Sequence, residues 1–149
     1  MLTNLNRSAT AQWEGTGLEG SGSFSTQSGA LQALPYNHRS RFKNEDGLKG
    51  TNPEELIAAA HAGCFNMALS FQLNGAGYTA RKLSTKARVY MGQNGFDYSI
   101  AKIELDLQGI VPGIELQEFQ ALAENAKKGC PVSLALSSIP ISLNVALID

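Results

Sequence analysis

Two cysteines, Cys64 and Cys130, are the residues of this 149-residue chain best suited to chemistry. A thiolate is a nucleophile and a reductant, whereas a free thiol most often serves as a small buried hydrophobe. Three features favour chemistry here. Cys64 follows the small-residue run Ala58-Ala59-Ala60-His61-Ala62-Gly63, which keeps bulk away from it. Cys130 stands at a helix end, just before Pro131. Both fall on inward-facing positions, so the two sulfurs can meet. Cys64 lies mid-helix, however, and the positive end of a helix dipole acts only within the first turn. A cation from elsewhere in the chain is needed to favour its thiolate. The run His38-Arg39-Ser40-Arg41-Phe42-Lys43 carries three, although such a run is ordinarily a solvated strand face.

Other chemistries fit less well. His61 and Cys64 stand at i, i+3 on one helix face and could share a metal. Zinc wants three or four protein ligands, and only His38 and Cys130 remain in the histidine and cysteine pool. His61 therefore reads as a packed or hydrogen-bonded helix residue, and no metal is expected. Gly15, Gly17 and Gly20 spell G-x-G-x-x-G, but a dinucleotide fingerprint must open a helix, and the following GSGSFSTQSG reads as a strand. No G-x-S-x-G nucleophile elbow occurs.

The elements that must hold these residues follow from periodicity. Residues 7–14 and 18–27 read as strands, with Ala9, Ala11 and Trp13 alternating against polar neighbours. An irregular stretch spans residues 28–50, with a short strand expected near residues 40–43. Asn52 as N-cap, Pro53 at the first helical position and Glu54 and Glu55 in the first turn open a helix running to about Gly75. Its small residues on several faces predict close packing on other elements. Ala87, Val89 and Met91 mark one half-buried strand, and Ala101, Ile103, Leu105 and Leu107 another, with Gly92-Gln93-Asn94-Gly95 as the hairpin turn. Leu116, Phe119, Ala123 and Ala126 form the stripe of a second helix over residues 114–128. Cys130 continues that stripe and caps a further helical turn begun by Pro131. A last strand alternates Ile139, Ile141, Leu143, Val145 and Leu147. The order predicts an α+β fold of antiparallel sheets with two central helices.

Composition bounds the function. Twelve Lys and Arg against thirteen Asp and Glu leave a net charge of −1, which supplies no basic excess for nucleic acid. The length suits a single domain, residues 1–149. No secretory leader is legible at the N-terminus, and the apolar run 56–73 contains His61, Asn66, Ser70 and Gln72, so a buried helix is expected instead of a membrane span. A cytoplasmic location and no static structural disulfide are the matching expectations.

At Thr51-Asn-Pro-Glu-Glu-Leu-Ile-Ala-Ala-Ala-His-Ala-Gly-Cys-Phe65 the chain resembles the OsmC/Ohr family, the osmotically inducible protein C and organic hydroperoxide resistance proteins. Gly129-Cys-Pro-Val-Ser133, Pro35-Tyr36 with Arg41-Phe42, Ala11-x-Trp-Glu-Gly15 and Val111-Pro-Gly-Ile114 match as well. The A-A-H-A-G-C form favours the OsmC branch. The resemblance implies a thiol-dependent peroxidase for organic hydroperoxides and hydrogen peroxide. Cys64 would be the peroxidatic cysteine, Cys130 the resolving cysteine, Glu54 the active-site glutamate and Arg41 the arginine that holds Cys64 as thiolate. Arg39 ranks lower because no Phe follows it. No bound cofactor is implied; an external dithiol, of lipoyl type, restores the thiols. The family also implies an intertwined homodimer with two sites at the subunit interface.

Ten residues separate Glu54 from Cys64, about 15 Å of straight helix at 1.5 Å per residue. Glu54 can therefore act through Arg41 but cannot touch the Cys64 of its own helix, and the partner subunit is expected to supply part of each site. The competing readings are a redox sensor signalling through a partner, a non-catalytic small-molecule binder, and a structural dimer with no ligand.

Overall fold

The computed structural model describes residues 4–43, 47–48 and 50–149. Residues 44–46 and 49, within the stretch expected to be irregular, lie outside the described residues. The element order is β1 (Ala9–Glu14), β2 (Ser21–Thr26), β3 (Leu34–Tyr36), α1 (His38–Phe42), α2 (Pro53–Gly75), β4 (Lys82–Asn94), β5 (Asp97–Ile110), α3 (Leu116–Gly129), α4 (Pro131–Ala135) and β6 (Ile141–Leu147). The chain divides into two compact units, residues 1–56 and 57–149.

The first unit carries an antiparallel sheet of order β1-β2-β3. β1 pairs with β2 from Ala9 opposite Thr26 to Glu14 opposite Ser21. The Phe24 and Tyr36 rings stack at 3.9 Å, and Trp13 tilts against Tyr36 at 5.3 Å. Gly22 makes room for them: a Cβ there would stand 2.6 Å from the Tyr36 ring and 2.7 Å from the Trp13 ring. The alternation of Ala9, Ala11 and Trp13 marks the strand, and every residue of β1 is exposed.

The expected strand near residues 40–43 is instead the helix α1, and the strand sits earlier, at β3. The cause is a capping box. Asn37 Oδ1 accepts from the Ser40 N–H at 2.9 Å, and the Asn37 N–H donates to Ser40 Oγ at 3.0 Å. The start of α2 is capped as read: Asn52 Oδ1 accepts from the Glu55 N–H at 2.8 Å. A cap of this kind stabilises a helix by about 1 kcal/mol.

The second unit holds a sheet of order β4-β5-β6 and the hydrophobic core. His61, Phe65, Leu69 and Leu73 form a fully buried stripe at every fourth residue of α2. Phe65, Leu69 and Leu73 join Ile103, Leu105 and Leu107 of β5 and Phe119, Ala123 and Ala126 of α3 in one cluster. Each such large side chain contributes about 1.5–3 kcal/mol by leaving water. α2 is long and apolar enough, by length and composition, to cross a membrane; here one face of it packs into this core. Its other face, with Met67 and Phe71, is exposed.

Three details differ from the sequence reading. The β4–β5 loop is Gly95-Phe96, because Asn94 pairs with Asp97 and Gln93 with Tyr98, so Gly92, Gln93 and Asn94 belong to the strand. Gly95 takes φ +65°, a conformation that glycine adopts at no steric cost. Leu116 is exposed, leaving Phe119, Ala123 and Ala126 as the buried stripe of α3. β6 runs parallel to β5, so this sheet is mixed; a parallel neighbour needs a crossover, which α3 and α4 supply.

Candidate functional site

The second unit brings the two cysteines together. Cys64 is half-buried beside the core stripe of α2. Cys130 is fully buried at the junction of α3 and α4, where its N–H closes α3 on the Ala126 carbonyl at 2.8 Å and Pro131 opens α4. The Sγ atoms lie 2.8 Å apart, and both residues are free thiols. A disulfide bond is about 2.05 Å long, so the two sulfurs stand within an ångström of bonding distance.

Their acidities diverge. Burial pushes the Cys64 thiol up, and the neighbouring Cys130 adds to that, against a smaller downward pull from the Val132 N–H. Burial also works to raise Cys130, but hydrogen bonding from Cys64, from the N–H and hydroxyl of Ser133 and from the Val132 N–H outweighs it, and Cys130 ends below the ordinary thiol value. These surroundings of Cys64 favour its thiol, so a Cys64 thiolate calls for a cation brought to it.

Arg41 and Glu54 meet in the first unit. Arg41 Nη2 and Nε donate to Glu54 Oε1 at 2.7 and 3.0 Å, and Nε also reaches Oε2 at 3.3 Å. The carboxylate is largely buried and the guanidinium partly exposed. Charge-assisted bonds of this kind fix the guanidinium in orientation. The helical form of α1 separates the two arginines of the basic run. On a strand, Arg39 and Arg41 would share a face; on a helix they point about 200° apart. Arg41 takes Glu54, and the described residues offer Arg39 no carboxylate. Arg41 also borders an open cleft of ≈ 270 Å³ lined by Trp13, Tyr36, His38 and Phe42.

Two further groups belong to the cysteine neighbourhood. His61, fully buried, has Nε2 2.7 Å from Ser133 Oγ, and Ser133 is 6% exposed. Burial lowers the His61 pKa, so the ring is neutral near neutral pH. The sequence reading gives His61 a packed or hydrogen-bonded role and Ser133 none. The available signal was local: Ser133 is the third residue of the turn that Cys130 caps, and His61 precedes Cys64 by three. Among the described residues, no group of three or more His, Cys, Asp and Glu could hold a metal ion.

Comparison with known proteins places these observations. A family model described as OsmC-like protein matches residues 44–144. Peroxiredoxin OsmC of Escherichia coli (strain K12) is 44% identical over 134 residues, covering 90% of this chain and 92% of that one. Organic hydroperoxide resistance protein OhrA of Bacillus subtilis (strain 168) is 36% identical over 108 residues, 66% of this chain and 69% of that one. The crystal structure of an organic hydroperoxide resistance protein from Elizabethkingia anophelis superposes with a TM-score of 0.72 at 28% identity, over 99% of this chain and 100% of that one.

Proposed function

The chain belongs to the OsmC-like family, and we propose that it is a thiol-dependent peroxidase that reduces hydroperoxides through Cys64 and Cys130. The observation that carries this reading is the contact between two free thiols, 2.8 Å apart in the core of a chain 44% identical to a peroxiredoxin. The Cys64 thiolate attacks the terminal peroxide oxygen. The O–O bond breaks, the alkoxide leaves as alcohol after taking a proton, and Cys64 becomes sulfenic acid. Cys130 displaces hydroxide from that sulfur and the disulfide forms. An external dithiol, of lipoyl type, returns both thiols by exchange.

Arg41 is assigned to stabilise the Cys64 thiolate and the peroxide oxygens, with Glu54 holding it in place. The cleft of aromatic side chains beside Arg41 suits the organic portion of an alkyl hydroperoxide, next to a cation for the polar end. A homodimer fits the packing. All buried hydrophobic residues among those described lie between Phe65 and Cys130, so the first unit has no buried apolar residue of its own. Met67 and Phe71 leave the outer face of α2 uncovered. A second copy covering these surfaces would complete the site with residues from both subunits. The proposed location is the cytoplasm, where a reducing environment supplies dithiols.

The test is steady turnover of cumene hydroperoxide and of hydrogen peroxide with reduced lipoamide as donor. Mass spectrometry after one equivalent of peroxide should show the loss of two hydrogens. No turnover with either peroxide and an unchanged mass would favour a non-catalytic binder, and stoichiometric oxidation without turnover would favour a redox sensor.

A further inference from the structure

We propose that the buried hydrogen bond between His61 and Ser133 is a positioning clamp that holds α4 against α2 so that Cys130 stays in reach of Cys64; its role in closing the disulfide rests on the peroxidase reading. Two contacts tie the same two elements together. His61 Nε2 lies 2.7 Å from Ser133 Oγ, and Cys130 Sγ lies 2.8 Å from Cys64 Sγ. His61 and Cys64 stand three positions apart on α2, a spacing that puts them on one face. Opposite them, Cys130 is the cap position of α4 and Ser133 its third residue. The four side chains thus form two rungs, one polar and one of sulfur.

The polar rung lies inside the protein, with His61 fully buried and Ser133 nearly so. Among the described residues Nδ1 of His61 has no partner, so the bond to Ser133 is the one that orients the ring. His61 is also the polar member of a stripe otherwise made of Phe65, Leu69 and Leu73. Apolar contacts are non-directional, whereas a hydrogen bond is held to a narrow range of distance and angle. α4 has five residues, too few to hold as a helix by itself, so its place is set by what it rests on. Val132 and Leu136 pack it against the core, and Ser133 fixes where along α2 it sits.

That place matters for the second chemical step. The Cys130 thiol gives up its proton, its sulfur attacks the sulfenic sulfur of Cys64, the S–S bond forms, the S–O bond breaks, and the departing hydroxide takes up a proton as water. Cys130 is oxidised as the sulfenic sulfur is reduced. A misplacement of about 1 Å in a reacting pair costs on the order of a hundredfold in rate. The clamp acts at equilibrium as well, because a dithiol already held in contact loses less freedom when the bond closes. His61 and Ser133 are positioning residues that act through the spacing of the two sulfurs.

The clamp is tested without peroxide by equilibrating the protein with mixtures of reduced and oxidised glutathione and measuring the fraction of Cys64–Cys130 disulfide. Ser133→Ala and His61→Leu should each lower the equilibrium constant for the disulfide about tenfold, which raises the potential of this two-electron couple by about 30 mV. His61→Gln places an amide that can donate or accept near the position of Nε2 and should bring the constant back to within about threefold of wild type. Leu134→Ala, on the exposed side of the same short helix, should leave it unmoved. After one equivalent of cumene hydroperoxide, the two removals should also slow the conversion of sulfenic acid to disulfide about tenfold, read by dimedone trapping. Ser133→Ala deletes one oxygen and tests the clamp even where His61→Leu fails to fold. An unmoved constant in folded Ser133→Ala, or an equal shift in Leu134→Ala, overturns the clamp. A shifted constant in a protein that no hydroperoxide oxidises overturns the peroxidase reading and leaves the clamp as a property of the thiol pair.

Discussion

The sulfur of Cys130 lies 2.8 Å from that of Cys64, although 66 residues separate them in the chain. The contact exists because α2 and the α3–α4 junction share one core cluster. Both thiols therefore should be spent in one cycle. Cys64→Ser is expected to abolish peroxide consumption. Cys130→Ser should react once and stall, gaining one oxygen as sulfenic acid or forming a mixed disulfide with added thiol. Intact-mass measurement after one equivalent of peroxide distinguishes these species. Continued turnover by Cys64→Ser would remove it from the mechanism.

Arg41 and Glu54 give a graded expectation. Arg41→Ala removes the cation assigned to Cys64 and should reduce kcat/KM at neutral pH on the order of a hundredfold. The loss should shrink at higher pH, where the thiolate forms unaided. Arg41→Lys keeps the charge but loses the two-point grip on Glu54 and should fall between Ala and wild type. Glu54→Gln leaves the guanidinium charged but loosely held, with a loss of roughly ten- to a hundredfold. A wild-type pH–rate profile in Arg41→Ala would exclude the arginine.

Much of this was legible in the chain because local rules and tertiary demands agree. The Asn52 cap, the extent of α2, the alternation in β4, β5 and β6, and the turn started by Pro131 were all carried by nearest neighbours. The failures have a common physical origin in signals that local pattern does not carry. Residues 40–43 alternate like a strand, but the Asn37–Ser40 capping box makes them helical, and that same helix separates Arg41 from Arg39. The alternation of β1 marks a strand but says nothing of its burial, and every residue of β1 is exposed. The parallel run of β6 depends on a crossover, not on its own residues. The Cys64–Cys130 and Arg41–Glu54 contacts are long-range, so spacing alone could only permit them. His61 was visible as a residue but not as a partner of Ser133, 72 positions away.

Gly109 of β5 lies against the ring of Phe119 of α3. A Cβ at this position would clash with Phe119 Cζ and stand 2.8 Å from Cε1. Gly109→Ala should therefore destabilise the second unit by roughly 1–3 kcal/mol through overpacking. Phe119→Leu in the same chain should return part of that loss, because it withdraws the ring. Urea unfolding of the two single variants and the double variant measures the coupling; strictly additive losses would contradict the contact.

His61 predicts a pH dependence of stability. Burial lowers its pKa in the folded state below the ordinary 6.5, while the unfolded chain retains the ordinary value. Below pH 6.5 the unfolded state therefore binds the proton first, and stability falls with pH until the folded-state value is passed. From about one pH unit above 6.5 both states are essentially neutral and the contribution is flat. His61→Gln removes this titration, so the stability difference between wild type and variant should change across the mildly acidic range and be constant above it. Denaturant midpoints at several pH values measure this, and a pH-independent difference would show that His61 does not titrate as described.

The exposed face of α2 predicts the assembly. Met67 is 65% exposed and Phe71 71% exposed, one turn apart on the same helix. A second copy packed there would remove both from water, each stabilising the dimer by up to about 2–3 kcal/mol. A charge placed in the covered face would be buried without a partner, a penalty large enough to dissociate a dimer. Met67→Glu and Phe71→Glu should therefore shift the protein to monomer in sedimentation equilibrium, while Met67→Leu should not. Because the site is assigned residues from both subunits, the monomeric variants should also lose peroxide turnover. A Phe71→Glu protein that stays dimeric and active would place the subunit contact elsewhere.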